Sequence, residues 1–416
     1  MGLGKTVSAF GIASYYKKHE QDAQPEWPLL ILCPASLRYT WPNEMERFWP
    51  SLPPSAVHVV QGFSDTEWID ALSNEKNCGG SIQVVILTYS LIQQRSAVAQ
   101  ALLEQGKREP NNPLFPTIIC DESHNLKQRD SQRSQMLLPL LQSSKRLLLL
   151  SGTPALARPA ELWTQLSALQ PATFGSFQSF AKQFCAPKRV MIYGRGGRRF
   201  PRMDYTGSSN LPELHNLLKP LMIRRLKTDV LDELPPKQRS IIPLKPIHTA
   251  DAKKAMQALK KAREDIHEIM MSQHNGFSES HGAVSSSTDS KQALMQAYQA
   301  TGIAKAAAAT DFLLDWLQGG TEKIVIFGHH KLVLDHIDAA LHKQKTQFIR
   351  IDGQVPANIR HQLVRSFQTK PTMRVALLSM TAAGVGLTLT AASTVLFAEL
   401  NWTPGVLAQA EDRVHR

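Results

Sequence analysis

The sequence predicts an α/β protein of two lobes, each a parallel sheet flanked by helices, with helical, basic insertions between them. Two observations carry that expectation. Short apolar runs rich in Val, Ile and Leu alternate with amphipathic helical patterns, and this βαβα order leads to a parallel sheet covered on both faces. The alternation also occurs twice, ending first near residue 155 and starting again near 305.

In the first set the predicted strands are Leu29–Cys33, Val84–Thr88, Thr117–Cys120 and Leu147–Leu150. The second set holds Lys323–Phe327, Phe348–Ile351, Arg374–Leu378 and Thr394–Phe397, with amphipathic helices over Leu332–Leu341 and Asn358–Gln368. Between the sets the chain reads as helical and basic: Lys253–Met271 has the pattern of a helix with a charged face, and Asn275–Ser290, rich in Ser, Gly and His, that of a flexible loop. The expected division is a first lobe over residues 1–225 with a helical protrusion from about 155, a linker and helical insertion over 226–300, and a second lobe over 301–416.

Composition excludes several classes. A hydrophobic fraction of 43% and a charged fraction of 20% are those of a globular chain, not a disordered one. Cys33, Cys78, Cys120 and Cys185 form neither a CxxC nor a Cys/His cluster, which points to a reducing compartment. Val375–Ala398 lacks charge and is long enough to span a bilayer, yet Thr381, Gly384, Gly386, Thr388, Thr390, Ser393 and Thr394 divide it into two buried strands joined by a polar turn. No membrane association is expected. The opening residues Met1 to Thr6 do not read as a signal peptide.

The chain has 47 Lys and Arg against 35 Asp and Glu, a net charge of +12. Pro187 to Ser240 alone contains 12 basic and five acidic residues. Within it Tyr193 to Phe200 interleaves aromatics, glycines and arginines, including Arg195, Arg198 and Arg199, the composition of a loop that follows a phosphate backbone. Arg224 and Arg225 extend the run. Charge alone points to a polyanion and does not separate DNA from RNA.

Two motifs carry chemistry. Met1-Gly2-Leu3-Gly4-Lys5-Thr6 leads into a helical pattern over Val7–Tyr16. Glycines at such a position free backbone N–H groups to close on phosphates, the helix N-terminus adds positive potential, Lys5 neutralises charge and the Thr6 hydroxyl ligates Mg²⁺. Downstream, Thr117 to His124 is a buried strand that delivers Asp121 and Glu122 at its carboxyl end, the edge where open α/β sheets bind ligands. Asp121 is placed to hold Mg²⁺ and Glu122 to orient and deprotonate an attacking water.

Asp121-Glu122-Ser123-His124, Ser151-Gly152-Thr153-Pro154 and Gln409 to Arg416 resemble motifs II, III and VI of superfamily 2 helicases. With Met1 to Thr6 and Cys33 to Leu37, Trp41 and Glu44, the chain resembles the Swi/Snf-type DNA-dependent ATPases nearly end to end. Tyr205 to Leu211, Arg224 to Leu231 with Leu234 to Lys237, Phe327 to Lys331, Ile349 to Gly353, Ser379 to Gly386 and Phe397 to Trp402 are similar to the annealing-helicase branch, which rewinds and reverses stalled replication forks.

The resemblance implies RecA-like lobes that hydrolyse ATP with Mg²⁺ and move along duplex or branched DNA in the nucleus, or in the cytoplasm of a bacterium. Gly2, Gly4, Lys5 and Thr6 would hold ATP, with Thr6 and Asp121 on the metal and Glu122 on the water. His124, Ser151 and Thr153 would couple nucleotide state to lobe movement. Gly384, Gly386 and Gln409 would line the second lobe's side of the nucleotide, and Arg413 and Arg416 would act as arginine fingers. Arg195, Arg198, Arg199, Arg224 and Arg225 would meet DNA phosphates. Replication or repair proteins are the expected partners, recruited through flanking segments.

The alternatives are a nucleosome remodeller, an RNA helicase and a DNA-binding scaffold that does not cycle ATP. Because the chain opens inside the phosphate loop and stops at Arg416, it also reads as lacking the first strand of the first lobe, so the isolated 416 residues are expected to fold poorly or hydrolyse ATP weakly. Two further features carry less. His329 and His330 face opposite sides of a strand end and suit a helicase motif better than a metal. Trp41, Trp49 and Trp68 read as core residues.

Overall fold

The computed structural model describes residues 3–18, 26–73, 82–92, 96–106, 113–152, 158–193, 199–225, 227–230, 234–243, 253–254, 256–261, 263–264, 286–380 and 387–415. The chain divides into two compact units, one of residues 1–190 and 202–232 and one of 191–201 and 233–416.

The first unit is built on five parallel strands: β1 (Leu29–Cys33), β2 (Val57–Val59), β3 (Val84–Thr88), β4 (Thr117–Asp121) and β5 (Arg146–Leu150), in the order β2-β3-β1-β4-β5. Every residue of β1, β3 and β4 is buried, as continuous apolar runs in a doubly covered sheet require. Alternation divides their side chains between two cores. Leu29, Ile31, Cys33, Val84, Ile86 and Ile119 pack with Ala9, Phe10 and Ala13 of helix α1 (Lys5–Lys18) and with Trp41 and Met45 of α2 (Thr40–Phe48). Leu30, Leu32, Val85, Leu87, Ile118 and Cys120 pack on the other face with Met136, Leu137, Leu140 and Leu141 of helix Gln132–Ser143. After β1 the chain crosses to β2 and returns through β3, then passes over β1 to β4. Strand order therefore reverses between β1 and β4, whose carboxyl ends open the crevice where such sheets bind ligands.

Beyond β5 the unit is helical, with Trp163–Leu169, Pro171–Phe174 and Phe177–Phe184 around a small aromatic core of Phe174, Phe177, Phe180 and Phe184. Two strands, β6 (Lys188–Tyr193) and β7 (Arg199–Asp204), follow as a two-stranded sheet; of the loop expected over 193–200, Tyr193, Arg199 and Phe200 are strand and residues 194–198 lie outside the described residues. Val190, Ile192, Tyr193 and Phe200 supply strand propensity.

The second unit is a four-stranded parallel sheet in the order β11-β8-β10-β9, from β8 (Ile324–Gly328), β9 (Phe348–Ile351), β10 (Val375–Ser379) and β11 (Thr394–Phe397). Helices Lys331–Lys343 and Ala357–Thr369 follow the first two strands, as their periodicity predicts. A helix over Ser286–Gln318 packs Ala306, Ala309 and Leu313 on this sheet. It runs through the boundary expected at 300/301 and takes in residues 286–290, where a loop is expected. Here the order reverses between β8 and β11. Among the described residues no helix is long and apolar enough to cross a membrane, and β10 and β11 take the place of the uncharged run.

Candidate functional site

Gly4 has φ +71° and its carbonyl accepts the Ser8 N–H at 2.9 Å, closing the first turn of α1. A Cβ there would meet nothing within 4 Å, so the left-handed backbone and not crowding requires glycine. Lys5 and Thr6 follow in the first helical turn, both half-buried. The charge of Lys5 acts on Asp121, which ties the start of α1 to the end of β4.

Asp121 is 8% exposed and Glu122 6%. The Asp121 carboxylate accepts the Glu122 backbone N–H on Oδ1 at 2.9 Å and the Trp41 indole N–H on Oδ2 at 3.1 Å. Burial, reinforced by the Glu122 charge, pushes its pKa up to about 6, against the opposing pull of Trp41, the Glu122 N–H and Lys5. Glu122 itself sits at φ 49°, ψ 52°, a left-handed conformation that costs a residue other than glycine roughly 1–3 kcal/mol and is retained at functional turns. Its Oε2 lies 3.3 Å from His124 Nδ1, and the same nitrogen lies 3.3 Å from Ser151 Oγ, past the end of β5. One imidazole thus joins the β4 acid to the β5 turn.

The support is polar, with Tyr89, Ser123 and Gln165 buried and Asn125 and Arg133 half-buried. Tyr89 donates to the Asp121 carbonyl at 3.0 Å, and Asn125 Nδ2 to the Glu122 carbonyl at 2.9 Å. Arg133 donates to Asn125 Oδ1 at 3.3 Å and lies over the Tyr89 ring, 5.5 Å from its centroid. Ser123 Oγ donates to Gln165 Oε1 at 2.8 Å, linking the acidic turn to helix Trp163–Leu169. None of Tyr89, Asn125, Arg133 or Gln165 is marked by a sequence motif. Trp41 reads as core and is 2% exposed against Phe10, yet it also donates to Asp121. The signal for that second role was the indole N–H, which seeks a partner whenever a Trp is buried.

Two buried carboxylates beside one ammonium leave negative charge that a divalent cation would balance. Among the described residues no three His, Cys, Asp or Glu side chains converge as a protein-only metal cage. The donor set fits Mg²⁺, which takes one or two carboxylates and completes its shell with water and phosphate oxygens.

Raising the Asp121 carboxyl from 3.8 to about 6 costs the folded, metal-free protein about 3 kcal/mol once it is ionised. Below about pH 3 the group is protonated folded or unfolded, and the cost is absent. It grows as pH rises through about 6, because the folded state holds the proton that the unfolded chain has already lost. In protein free of nucleotide and metal, the stability of Asp121→Asn minus that of wild type should therefore rise by about 3 kcal/mol between pH 3 and 7.5. Paired urea titrations across that range measure the difference, and a flat profile would contradict the perturbed carboxyl.

In the second unit Gln409 is 8% exposed and Arg413 6%. Gln409 lies on helix Pro404–Glu411, whereas Arg413 lies beyond its last residue, in a turn where its carbonyl accepts the Leu389 N–H at 2.9 Å. Asp412 caps the helix, so Arg413 sits in the turn that follows it. At the β8/β11 crevice the Glu399 carboxylate accepts the backbone N–H groups of His329 at 2.7 Å and His330 at 2.9 Å and pairs with His330 Nδ1 at 2.6 Å. His330 is thus engaged by a carboxylate. Arg224 and Arg225 are exposed. Gly2, Thr153, Arg195, Arg198, Gly384, Gly386, Arg416 and the Arg199 side chain lie outside the described residues.

Comparison with known proteins adds family relationships. Residues 1–298 match the SNF2-related domain, and residues 304–416 the helicase conserved C-terminal domain. The chain is 42% identical over 416 residues to the DNA annealing helicase and endonuclease ZRANB3 of Bos taurus, and 40% identical over 418 residues to the SWI/SNF-related matrix-associated actin-dependent regulator of chromatin subfamily A-like protein 1 of Xenopus tropicalis. All of this chain is covered in both, but only 35% and 38% of those proteins, so it spans about a third of the length of the curated relatives it matches. A SWI2/SNF2 ATPase core of Sulfolobus solfataricus in complex with double-stranded DNA is similar over the whole chain and 79% of its own, at 21% identity and a TM-score of 0.42.

Proposed function

This chain belongs to the SNF2-related family, and on that premise we propose that it is the motor of a DNA-dependent ATPase that remodels branched DNA, as an annealing helicase does. The observation that carries the reading is the buried Asp121–Glu122 pair at the β1/β4 reversal, under the influence of Lys5 and joined through His124 to Ser151. In this reading Gly2, Gly4, Lys5 and Thr6 cradle the phosphates of ATP, and Thr6 and Asp121 hold the metal. Bound Mg²⁺ would screen the charge of the β and γ phosphates. Glu122 orients water and takes its proton; Arg413 and Arg416 stabilise the phosphoryl group in transfer, beside a nucleotide face formed by Gly384, Gly386 and Gln409. Proton transfer to Glu122 removes the carboxylate charge that faces His124, and the change reaches Ser151 and Thr153 through that ring.

The named activity of the 42% identical relative supports the choice of branch, and the nucleus is the corresponding place of work. The test is steady-state ATP hydrolysis by the full-length protein with single strands, plain duplex, forked DNA, nucleosomes or RNA, beside Lys5→Ala. Forked DNA should stimulate most, and Lys5→Ala should abolish the stimulation. Greater stimulation by nucleosomes or RNA would refute the branch assignment.

DNA contact through Arg195, Arg198, Arg199, Arg224 and Arg225 is mainly to phosphates, so binding is insensitive to sequence and sensitive to salt. Replacing Arg224 and Arg225 together by Ala should make the slope of log affinity against log salt shallower by about 2. Fluorescence anisotropy on one duplex at several salt concentrations measures it; an unchanged slope would remove both residues from the interface.

A further inference from the structure

The segment that begins the second unit grips the turn carrying Arg413. Lys237 Nζ lies 2.8 Å from Asp412 Oδ1 and 3.3 Å from Glu411 Oε2. Arg239 forms a two-pronged pair with Glu411, Nε to Oε1 at 2.9 Å and Nη2 to Oε2 at 2.7 Å. From the other side of Arg413, His415 Nε2 donates to the Pro235 carbonyl at 2.7 Å. Three alternate positions of one segment, Pro235, Lys237 and Arg239, thus hold residues on both flanks of the arginine.

The arrangement answers an electrostatic need of the helix. Pro404–Glu411 ends in Glu411 with Asp412 as its cap, negative charge where the helix already presents unpaired carbonyls, and its last turn contains no basic residue. Lys237 and Arg239 supply the missing positive charge from outside, and Arg239 holds the Glu411 carboxyl below its usual range. An isolated exposed ion pair contributes little, but a two-pronged arginine and a lysine shared by two carboxylates form a network, where geometry counts for more. The Leu389 N–H fixes the Arg413 carbonyl, so the main chain of the turn is held from two directions.

We propose that Lys237 and Arg239 are positioning residues for phosphoryl transfer: they set the place of Arg413 by fastening the chain that enters the second unit to the acidic end of helix Pro404–Glu411. The proposal rests on the reading of Arg413 as an arginine finger. It makes the stretch from Pro235 to Arg239 and the turn carrying Arg413 one mechanical piece.

The experiment is a set of mutant cycles in the full-length protein, read as kcat and KM for ATP with saturating DNA. Arg239→Ala should lower kcat by about 10-fold, in line with the sensitivity of such steps to displacements below 1 Å, with KM and melting temperature unchanged. Arg239→Lys should recover part of the loss. In a Glu411→Ala background Arg239→Ala should have no further effect, and likewise in an Arg413→Ala background, because the latch acts only through that arginine. A purely structural role predicts equal losses in every background and overturns the proposal. Full activity of Arg239→Ala beside a crippled Arg413→Ala overturns the latch alone; full activity of Arg413→Ala overturns the arginine-finger reading beneath it.

Discussion

Arg413→Ala should reduce DNA-stimulated ATP hydrolysis by roughly 10³- to 10⁵-fold, the range over which an arginine stabilises the charge that builds on a phosphoryl group in transfer. The loss should fall on kcat, with nucleotide affinity changed by much less, because the interaction strengthens only as the bond to the leaving oxygen breaks. Removal of the side chain leaves the turn in place: the Arg413 N–H bonds to the Ala410 carbonyl and its own carbonyl to the Leu389 N–H, both main-chain contacts that alanine keeps. Arg413→Lys separates charge from shape. Lysine retains the positive charge but not the planar fork, so it should recover only a small part of the rate. Single-turnover hydrolysis measures both variants, and a lysine variant near wild-type speed would reduce the role of Arg413 to bulk electrostatics.

Much of this site is legible in the sequence because its chemistry is local. Lys5 and Thr6 open a helix, Asp121 ends a strand with Glu122 next to it, and both arrangements are written in contiguous residues whose period announces them. The strands β1, β3, β4, β9 and β11 are equally plain: Leu29–Cys33 is wholly apolar, and the others are short runs built on Val, Ile, Leu or Phe. What escapes is whatever depends on distant segments meeting. Trp41 reaches Asp121 across 80 positions, and Tyr89 reaches the same residue's carbonyl across 32. Arg239 meets Glu411 across 172. The left-handed turn at Glu122 also leaves no trace in composition, as glycine or asparagine would be the expected residue there. The strands β6 and β7 are obscured for another reason, because the run of glycines and arginines from Gly194 to Arg199 dominates the local composition.

Glu122→Gln should lower kcat by roughly 10²- to 10⁴-fold while leaving ATP binding nearly intact, the loss expected when a positioned general base can no longer take a proton. Glutamine matches the glutamate in shape and suits the same left-handed backbone, so the turn, the Asn125 bond to the residue 122 carbonyl and the Ser123–Gln165 bond should persist. The change also removes a negative charge that raises the Asp121 pKa, which should leave Asp121 more readily ionised and the metal held at least as well. Affinity and rate should therefore move independently. Nucleotide binding followed by a fluorescent ATP analogue, beside single-turnover hydrolysis on forked DNA, separates the two. Tight binding with slow turnover would fix Glu122 as the base. A variant that keeps more than a tenth of the wild-type rate would move that role away from Glu122, and with it the coupling through His124 to Ser151, since the imidazole would then sense a carboxylate that never changes its charge.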